Sequence, residues 1–310
     1  MSTPIGALAA LSAAAMWAIG STLFSRIGRD VSPFTMNLGK CLSAGGLLGL
    51  TYCVLNGPHV SAGSAALAWL AASAIVGLTI GDTAYFHAIV RLGVPRAILL
   101  LSSAPVFAAI GAAVFMNEPL GARSASGIGV TLAGIAITVS ASGGPKPSRS
   151  EPALASDEAS PSKGVRVVPG MLFGLVAGLG QAAGSLLSKH AMREGLDPLF
   201  VSAGRLLIGG GALVLVSTLT GRATMVVREL TTRRAWLRIA GAGFIGSYCG
   251  IWLAQTALAC LPSAGVATTL LATSPVFALP IAHFTGAERV GLRGVIGAAI
   301  TIAGVALLAT

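Results

Sequence analysis

The chain has 310 residues, 54% of them hydrophobic and only 10% charged, against roughly 25% charged in an ordinary soluble domain. That leaves too little polar surface for a soluble fold of this length and points to a chain that crosses a membrane several times. The formal net charge of +10 does not imply nucleic acid, because the basic residues stand in short loops between apolar runs, where they orient the chain and meet anionic lipid.

Windows of about 20 apolar residues predict helices over residues 5–25, 34–54, 67–89, 95–115 and 124–141. They continue over 169–189, 199–219, 236–258, 262–284 and 291–309. The expected fold class is an all-α membrane protein of ten transmembrane helices, five in each half. Heavy use of small residues, including 41 glycines, suits closely packed helices rather than a barrel. Residues 1–4 carry no basic residue, so the first apolar run is expected to be a retained helix and not a signal peptide. Cys41, Cys53, Cys249 and Cys260 form no C-x-x-C pair and are read as small packing residues, with no metal site and no cofactor expected.

The two halves repeat one another about 170 residues apart. Residues 103–120 read SAPVFAAIGAAVFMNEPL and residues 273–290 read TSPVFALPIAHFTGAERV, with proline, valine, phenylalanine, alanine and a late glutamate at the same spacing. The match extends through Gly20-Ser21 with Gly184-Ser185, Lys40 with Arg205, Gly45-Gly46 with Gly210-Gly211, and Gly77-x-x-x-Gly81 with Gly246-x-x-x-Gly250. Gly127 and Gly134 match Gly297 and Gly304. The expected division is a first repeat over 1–141, a linker over 142–168 and a second repeat over 169–310.

An odd number of helices per repeat makes equivalent helices cross in opposite directions, so the charge bias of the loops should flip between halves. It does. Of the 20 Lys and Arg residues, 15 fall in loops 1–2, 3–4, 7–8, 9–10 and the linker, 3 fall on the other side, and Lys40 and Arg205 lie inside spans. The bias puts the linker in the cytoplasm and both termini outside. The linker, rich in Ser, Pro and charge, cannot bury enough apolar surface to offset ordering and reads as a tether. In loop 7–8, GRATMVVRELTTRRAWLR fits either a short interfacial helix or a solvated loop.

Pro105 and Pro275 fall near the middle of their spans, where each removes an N–H and crowds the carbonyl four residues earlier, at Leu101 and Leu271. They are read either as packing kinks or as paired hinges beside a central path. An ionisable group at the bilayer centre costs roughly 2.5–3.5 kcal/mol on insertion scales, so Asp82, Lys40 and Arg205 stand out. Asp82 has Ile251 as its counterpart and is therefore not demanded by the shared scaffold. It is read as an ion pair with Lys40, or as a ligand for a cationic group or a proton, with Tyr85 one turn on and His87 nearby as a relay. Lys40 and Arg205 are equally read as snorkelling or structurally paired.

Trp17, Gln181, Tyr248, Trp252 and Gln255 are the other candidates for lining a cavity, while Asn37, Ser102, Ser103 and Ser274 are more polar groups inside spans. His190 and His283 lie near helix ends, Glu118 and Glu288 match at the ends of the fourth and ninth helices, and all four are read as structural or solvated. The glycine pairs 77/81 and 246/250 are read as packing seams.

With these residues in view, the chain resembles the drug/metabolite transporter superfamily, EamA type. The resemblance rests on the paired SAPVF…NEPL and TSPVF…GAER segments, the Lys40/Arg205 position, and the glycine-bearing last helices GIGVTLAGIAI and GVIGAAITIAG. It implies a secondary transporter in a bacterial plasma (inner) membrane, moving small metabolites, often amino acids or related compounds, by alternating access around a central cavity between inverted repeats. Proton or ion coupling is compatible with it, and it names no single substrate. A passive channel is the alternative, though a pore would carry a repeated ring of charge and the acid here appears in one half only. A membrane-embedded enzyme lacks support, since the chain has no H-E-x-x-H, no G-x-S-x-G, no Walker A loop and no paired intramembrane aspartates.

Overall fold

A computed structural model of the chain describes residues 3–57, 62–115, 122–141, 163–261, 264–284 and 291–309. Among these residues every regular element is a helix. The first half comprises α1 (Thr3–Ile27), α2 (Pro33–Asn56), α3 (Ser64–Ser73), a π-helical segment π1 (Ala74–Asp82), α4 (Thr83–Leu92), α5 (Val94–Leu101), α6 (Ala104–Phe115) and α7 (Ala122–Ala141). The second comprises α8 (Lys163–Arg193), α9 (Pro198–Leu219), α10 (Ala223–Thr231), α11 (Arg233–Gly243), π2 (Phe244–Cys249), α12 (Gly250–Cys260), α13 (Ala264–Leu271), α14 (Ser274–Phe284) and α15 (Leu292–Ala309). Helix occupies each predicted window. Six runs are long and apolar enough to cross a membrane on their own, and the other four windows carry the shorter apolar helices Val94–Ala108, Ala125–Ile137, Val266–Ile281 and Leu292–Leu307.

Local chemistry explains where the helices start and stop. Ser32 caps α2 by accepting the Thr35 N–H, and Asp197 caps α9 by accepting from Leu199 and Phe200, each followed by a proline at the first helical position. These two caps are repeat-equivalent. Gly93, at φ +83°, turns the chain from α4 straight into α5, a conformation that side chains with a Cβ resist.

Two expectations need correction, and one alternative is decided. α8 begins at Lys163, so the last residues assigned to the linker are helical; Pro169 falls in the second turn, where it costs only one backbone bond near the helix start. Arg96, read as a loop residue, lies in the first turn of α5 and is buried. Of the two readings of loop 7–8, a helix is the one found: α10 packs against the ends of α2 and α9 through Val226 and Leu230. Residues 142–162 of the linker, Glu118, Glu288 and the side chain of His283 lie outside the described residues.

The halves are intertwined. α1 packs along π2 and α12, α8 packs along α3, π1 and α4, α2 pairs with α9, and α7 pairs with α15. Glycine makes the close crossings. A Cβ on Gly20 would lie 2.6 Å from Gly246 Cα, and one on Gly184 would lie 2.9 Å from Gly77 Cα, so each first helix touches the third helix of the other half at the repeated glycine. The α7–α15 seam repeats the device, Gly134 meeting Thr301 and Gly304 meeting Thr131.

The same contacts fix direction. Gly6 near the start of α1 packs on Cys260 and Leu261, and Lys189 near the end of α8 donates to the Leu261 carbonyl at 2.9 Å. α1 and α8, equivalent in the repeat, therefore run antiparallel. At the end of the bundle where α1 finishes, Arg238 donates to Asp30 at 2.9 Å and Ser32 Oγ donates to Glu229 at 2.9 Å, which joins loop 1–2 to loop 7–8. At that end also the close of α4 packs on Gly170 of α8. At the other end His190 stacks on Trp69, 5.5 Å between centroids. Among the described residues, loops 1–2, 3–4 and 7–8 gather at one end, as the charge bias predicts. Large apolar side chains such as Leu50, Val54, Leu172, Leu179, Leu215 and Leu219 point outward, as a lipid-facing surface requires.

Candidate functional site

Between the halves lies a cavity with about 740 Å³ of empty space, including the part open to solvent. Its walls come from α1, α2, π1, α4 and the end of α5 in the first half and from α8, α9, π2, α12 and the end of α13 in the second. Sixteen of the twenty lining residues fall into repeat-equivalent pairs: Trp17 with Gln181, Ser21 with Ser185, Lys40 with Arg205, Leu78 with Ser247, Asp82 with Ile251, Tyr85 with Ala254, Phe86 with Gln255 and Leu101 with Leu271. The cavity therefore sits on the pseudo-two-fold axis that relates the halves. On π1 and α4 the lining positions 78, 82, 85 and 86 share one helical face, and 247, 251, 254 and 255 repeat it.

That phase decides which predicted residues reach the cavity. Trp17, Lys40, Asp82, Tyr85, Gln181, Arg205 and Gln255 line it. His87, Tyr248 and Trp252 do not. One residue along a helix is a rotation of about 100°, and His87 turns outward, its Nδ1 2.8 Å from Arg91 and its ring stacked on Phe173 of α8. Tyr248 stacks on Phe244, meets the edge of Trp252 and shares a hydrogen bond with Thr51 of α2. Ser21, Ser185 and Ser247 were missed as lining residues; the signal was available, because Ser21 and Ser185 lie four residues after Trp17 and Gln181 on the same face.

The charged groups are held asymmetrically. Lys40, 3% exposed, donates to Asp82 and lies 5.4 Å from the centre of the Phe86 ring. Asp82 keeps 21% of its side chain exposed, so the carboxylate still borders the cavity. It ends the π-helical stretch, whose wider turn is supported by Asn37 donating to the Leu78 carbonyl at 2.8 Å and to Thr83 Oγ1 at 2.9 Å. Tyr85 and Ser21 share a hydrogen bond of 2.8 Å between α4 and α1. Arg205, also 3% exposed, has Ile251 where Lys40 has Asp82, and its Nε has no hydrogen-bond partner among the described residues.

Pro105 and Pro275 do not kink continuous helices. Each is the second residue of a new helix, α6 or α14, after a two-residue break at 102–103 or 272–273, and there a missing N–H costs no helical bond. The breaks face one another: Ser102 Oγ is 3.0 Å from the Ile98 carbonyl and 3.2 Å from the Ala272 carbonyl across the axis. Ser274 Oγ satisfies the Leu271 carbonyl at 2.9 Å. A second, smaller cavity of about 320 Å³ lies against both breaks and shares Trp17, Leu101, Gln181 and Leu271 with the first.

The model of the EamA-like transporter family matches residues 4–140 and, a second time, residues 168–310. The chain belongs to the EamA-like transporter family. It is an integral multi-pass membrane protein and a transporter of the drug/metabolite transporter superfamily. One solved structure, described only as a crystal structure of a protein, is similar to this EamA-like transporter with a TM-score of 0.65, over 97% of this chain and 95% of its own, at 18% sequence identity. That likeness concerns the fold alone. No curated protein matches the chain. Among the described residues no group of three His, Cys, Asp or Glu side chains gathers as metal ligands.

Proposed function

We propose that this EamA-like transporter is a secondary carrier that moves a small metabolite by alternating access around the central cavity, with ten crossings arranged as inverted repeats over 1–141 and 169–310 and a tether over 142–168. The observation that carries the reading is the paired lining of the cavity: equivalent residues from antiparallel halves converge on one site, so that site can face either side when one half rocks against the other. The small-residue seams at Gly20–Gly246 and Gly77–Gly184 suit such motion, because backbone contacts without interlocking side chains slide at little cost. Closure at one end would be held by Arg238–Asp30 and Glu229–Ser32 and at the other by Lys189 on Leu261. The charge bias favours a plasma membrane with the linker in the cytoplasm.

Amino acids or related compounds are the preferred cargo, since the cavity pairs aromatic and aliphatic walls with a few polar groups. Coupling to a proton or ion is compatible with the exposed side of Asp82. The reading is tested in proteoliposomes holding the purified chain. Preloading with a metabolite mixture should drive transient counterflow uptake of a labelled component above its equilibrium level, and uptake should saturate. Uptake that rises linearly with concentration and shows no counterflow would instead identify a passive channel.

A further inference from the structure

Lys40 and Arg205 hold equivalent places, yet only one of them is neutralised. Asp82 takes the proton donors of Lys40, and the corresponding position opposite Arg205 is Ile251. Among the described residues the charged groups lining the cavity are thus one carboxylate and two cations, leaving one positive charge over. Arg205 is 3% exposed and reaches the cavity past two glycines, since a Cβ on Gly77 would fall 2.7 Å from its Nη2 and one on Gly184 3.1 Å. Its Nε lacks a partner, and so does the Oε1 of Gln255, which is 1% exposed on the facing helix α12. Asp82 acts on Arg205 at longer range but makes no ion pair with it among the described residues, and a buried guanidinium without an ion-pair partner lowers stability unless something supplies the negative charge. The guanidinium calls for an anion, and the Gln255 oxygen, an acceptor, is open to a donor carried by the same cargo.

We propose that Arg205 seats the carboxylate of a small monocarboxylate cargo, with the Gln255 oxygen accepting from a donor on the cargo and the aromatic and aliphatic walls holding an apolar body. This rests on the carrier reading above and names its substrate class. A guanidinium fork matches a carboxylate with two parallel N–H donors, which a lysine in the same place cannot reproduce. One guanidinium matches one carboxylate; a second carboxylate on the cargo would find no further unpaired cation among the described lining residues.

The test uses the full chain purified in detergent and two probe series of fixed apolar body: leucine, 4-methylpentanoate and the neutral 4-methylpentanamide, and phenylalanine, 3-phenylpropanoate and the neutral 3-phenylpropanamide, with inorganic phosphate alongside. A carboxylate-bearing member of either series should raise the melting temperature while its amide does not. Arg205→Gln should abolish that shift, and Arg205→Lys should weaken binding by roughly tenfold. Without any probe, Arg205→Gln should melt at or above the wild-type temperature, because it removes an uncompensated buried charge; a purely structural arginine would give the reverse. Stabilisation by the amino acids alone identifies amino-acid cargo, and stabilisation by the plain acids as well identifies monocarboxylates in general. Stabilisation by amides or by phosphate alone, a shift retained in Arg205→Gln, or no shift with any probe overturns the proposal. Binding without counterflow would sink the carrier reading and leave this one standing. Counterflow confined to cargo without a carboxylate would do the opposite.

Discussion

Gly20 and Gly246 touch so closely that a methyl group on the first would come within 2.6 Å of the Cα of the second. The contact joins the first helix of one repeat to the third helix of the other, and Gly184 against Gly77 is its image. Backbone, not a flexible side chain, is what an added atom would meet. Gly20→Leu should therefore force the helices apart and lower stability by about 1–3 kcal/mol, the usual cost of overpacking. Thermal melting in detergent checks it; Gly46→Leu, with nothing within 4 Å of its Cβ, should melt near wild type.

The Lys40–Asp82 pair predicts a second result. Removing Asp82 alone strands a buried ammonium, at a cost of about 3 kcal/mol or somewhat more. Asp82→Asn should lower the melting temperature clearly, whereas Lys40→Met combined with Asp82→Leu should recover much of the loss, because no charge then remains to be compensated at that pair. A double variant as unstable as the sum of the singles would mean that the pair is not what holds these helices.

Sidedness provides a third. With the four native cysteines replaced by alanine, Arg26→Cys and Arg222→Cys should react with a membrane-impermeant maleimide from one side of a sealed vesicle, and Glu194→Cys only from the other. All three positions are exposed. Common reactivity of Arg26→Cys and Glu194→Cys would contradict the antiparallel halves.

A fourth concerns α10. Glu229 accepts from both the backbone N–H and the hydroxyl of Ser32, which itself caps α2. Ser32→Ala removes the cap as well as the tie and should cost about 1 kcal/mol. Glu229→Gln keeps a hydrogen-bond acceptor but loses the charge, so its effect on melting should be smaller than that of Ser32→Ala.

Legibility in the sequence followed the physics of each feature. Membrane class, the repeat and the loop sorting depend on composition and linear spacing, and a chain in lipid must satisfy its backbone within each helix, so apolar windows translate directly into helices. Asp82, Lys40 and Arg205 stood out for the same reason, since burying charge in lipid is costly enough to be conspicuous. His87, Tyr248 and Trp252 were misplaced because polarity says nothing of helical phase, and a rotation of about 100° per residue separates a cavity wall from a neighbouring seam. The breaks begin three residues before Pro105 and Pro275 because proline fits the start of a new helix better than the interior of an old one.

What the order of residues settled alone was the class of protein, its twofold duplication and the opposite sense of the two halves, all of which follow from hydropathy, spacing and charge along one dimension. Only the tertiary structure decided that α1 and α8 cross into the opposite halves and that the cavity is lined in equivalent pairs. It alone showed Asp82 paired with Lys40 while Arg205 makes no ion pair among the described residues. Those facts depend on which faces meet across the pseudo-two-fold axis, and a face is a property of packed helices, not of a sequence read position by position.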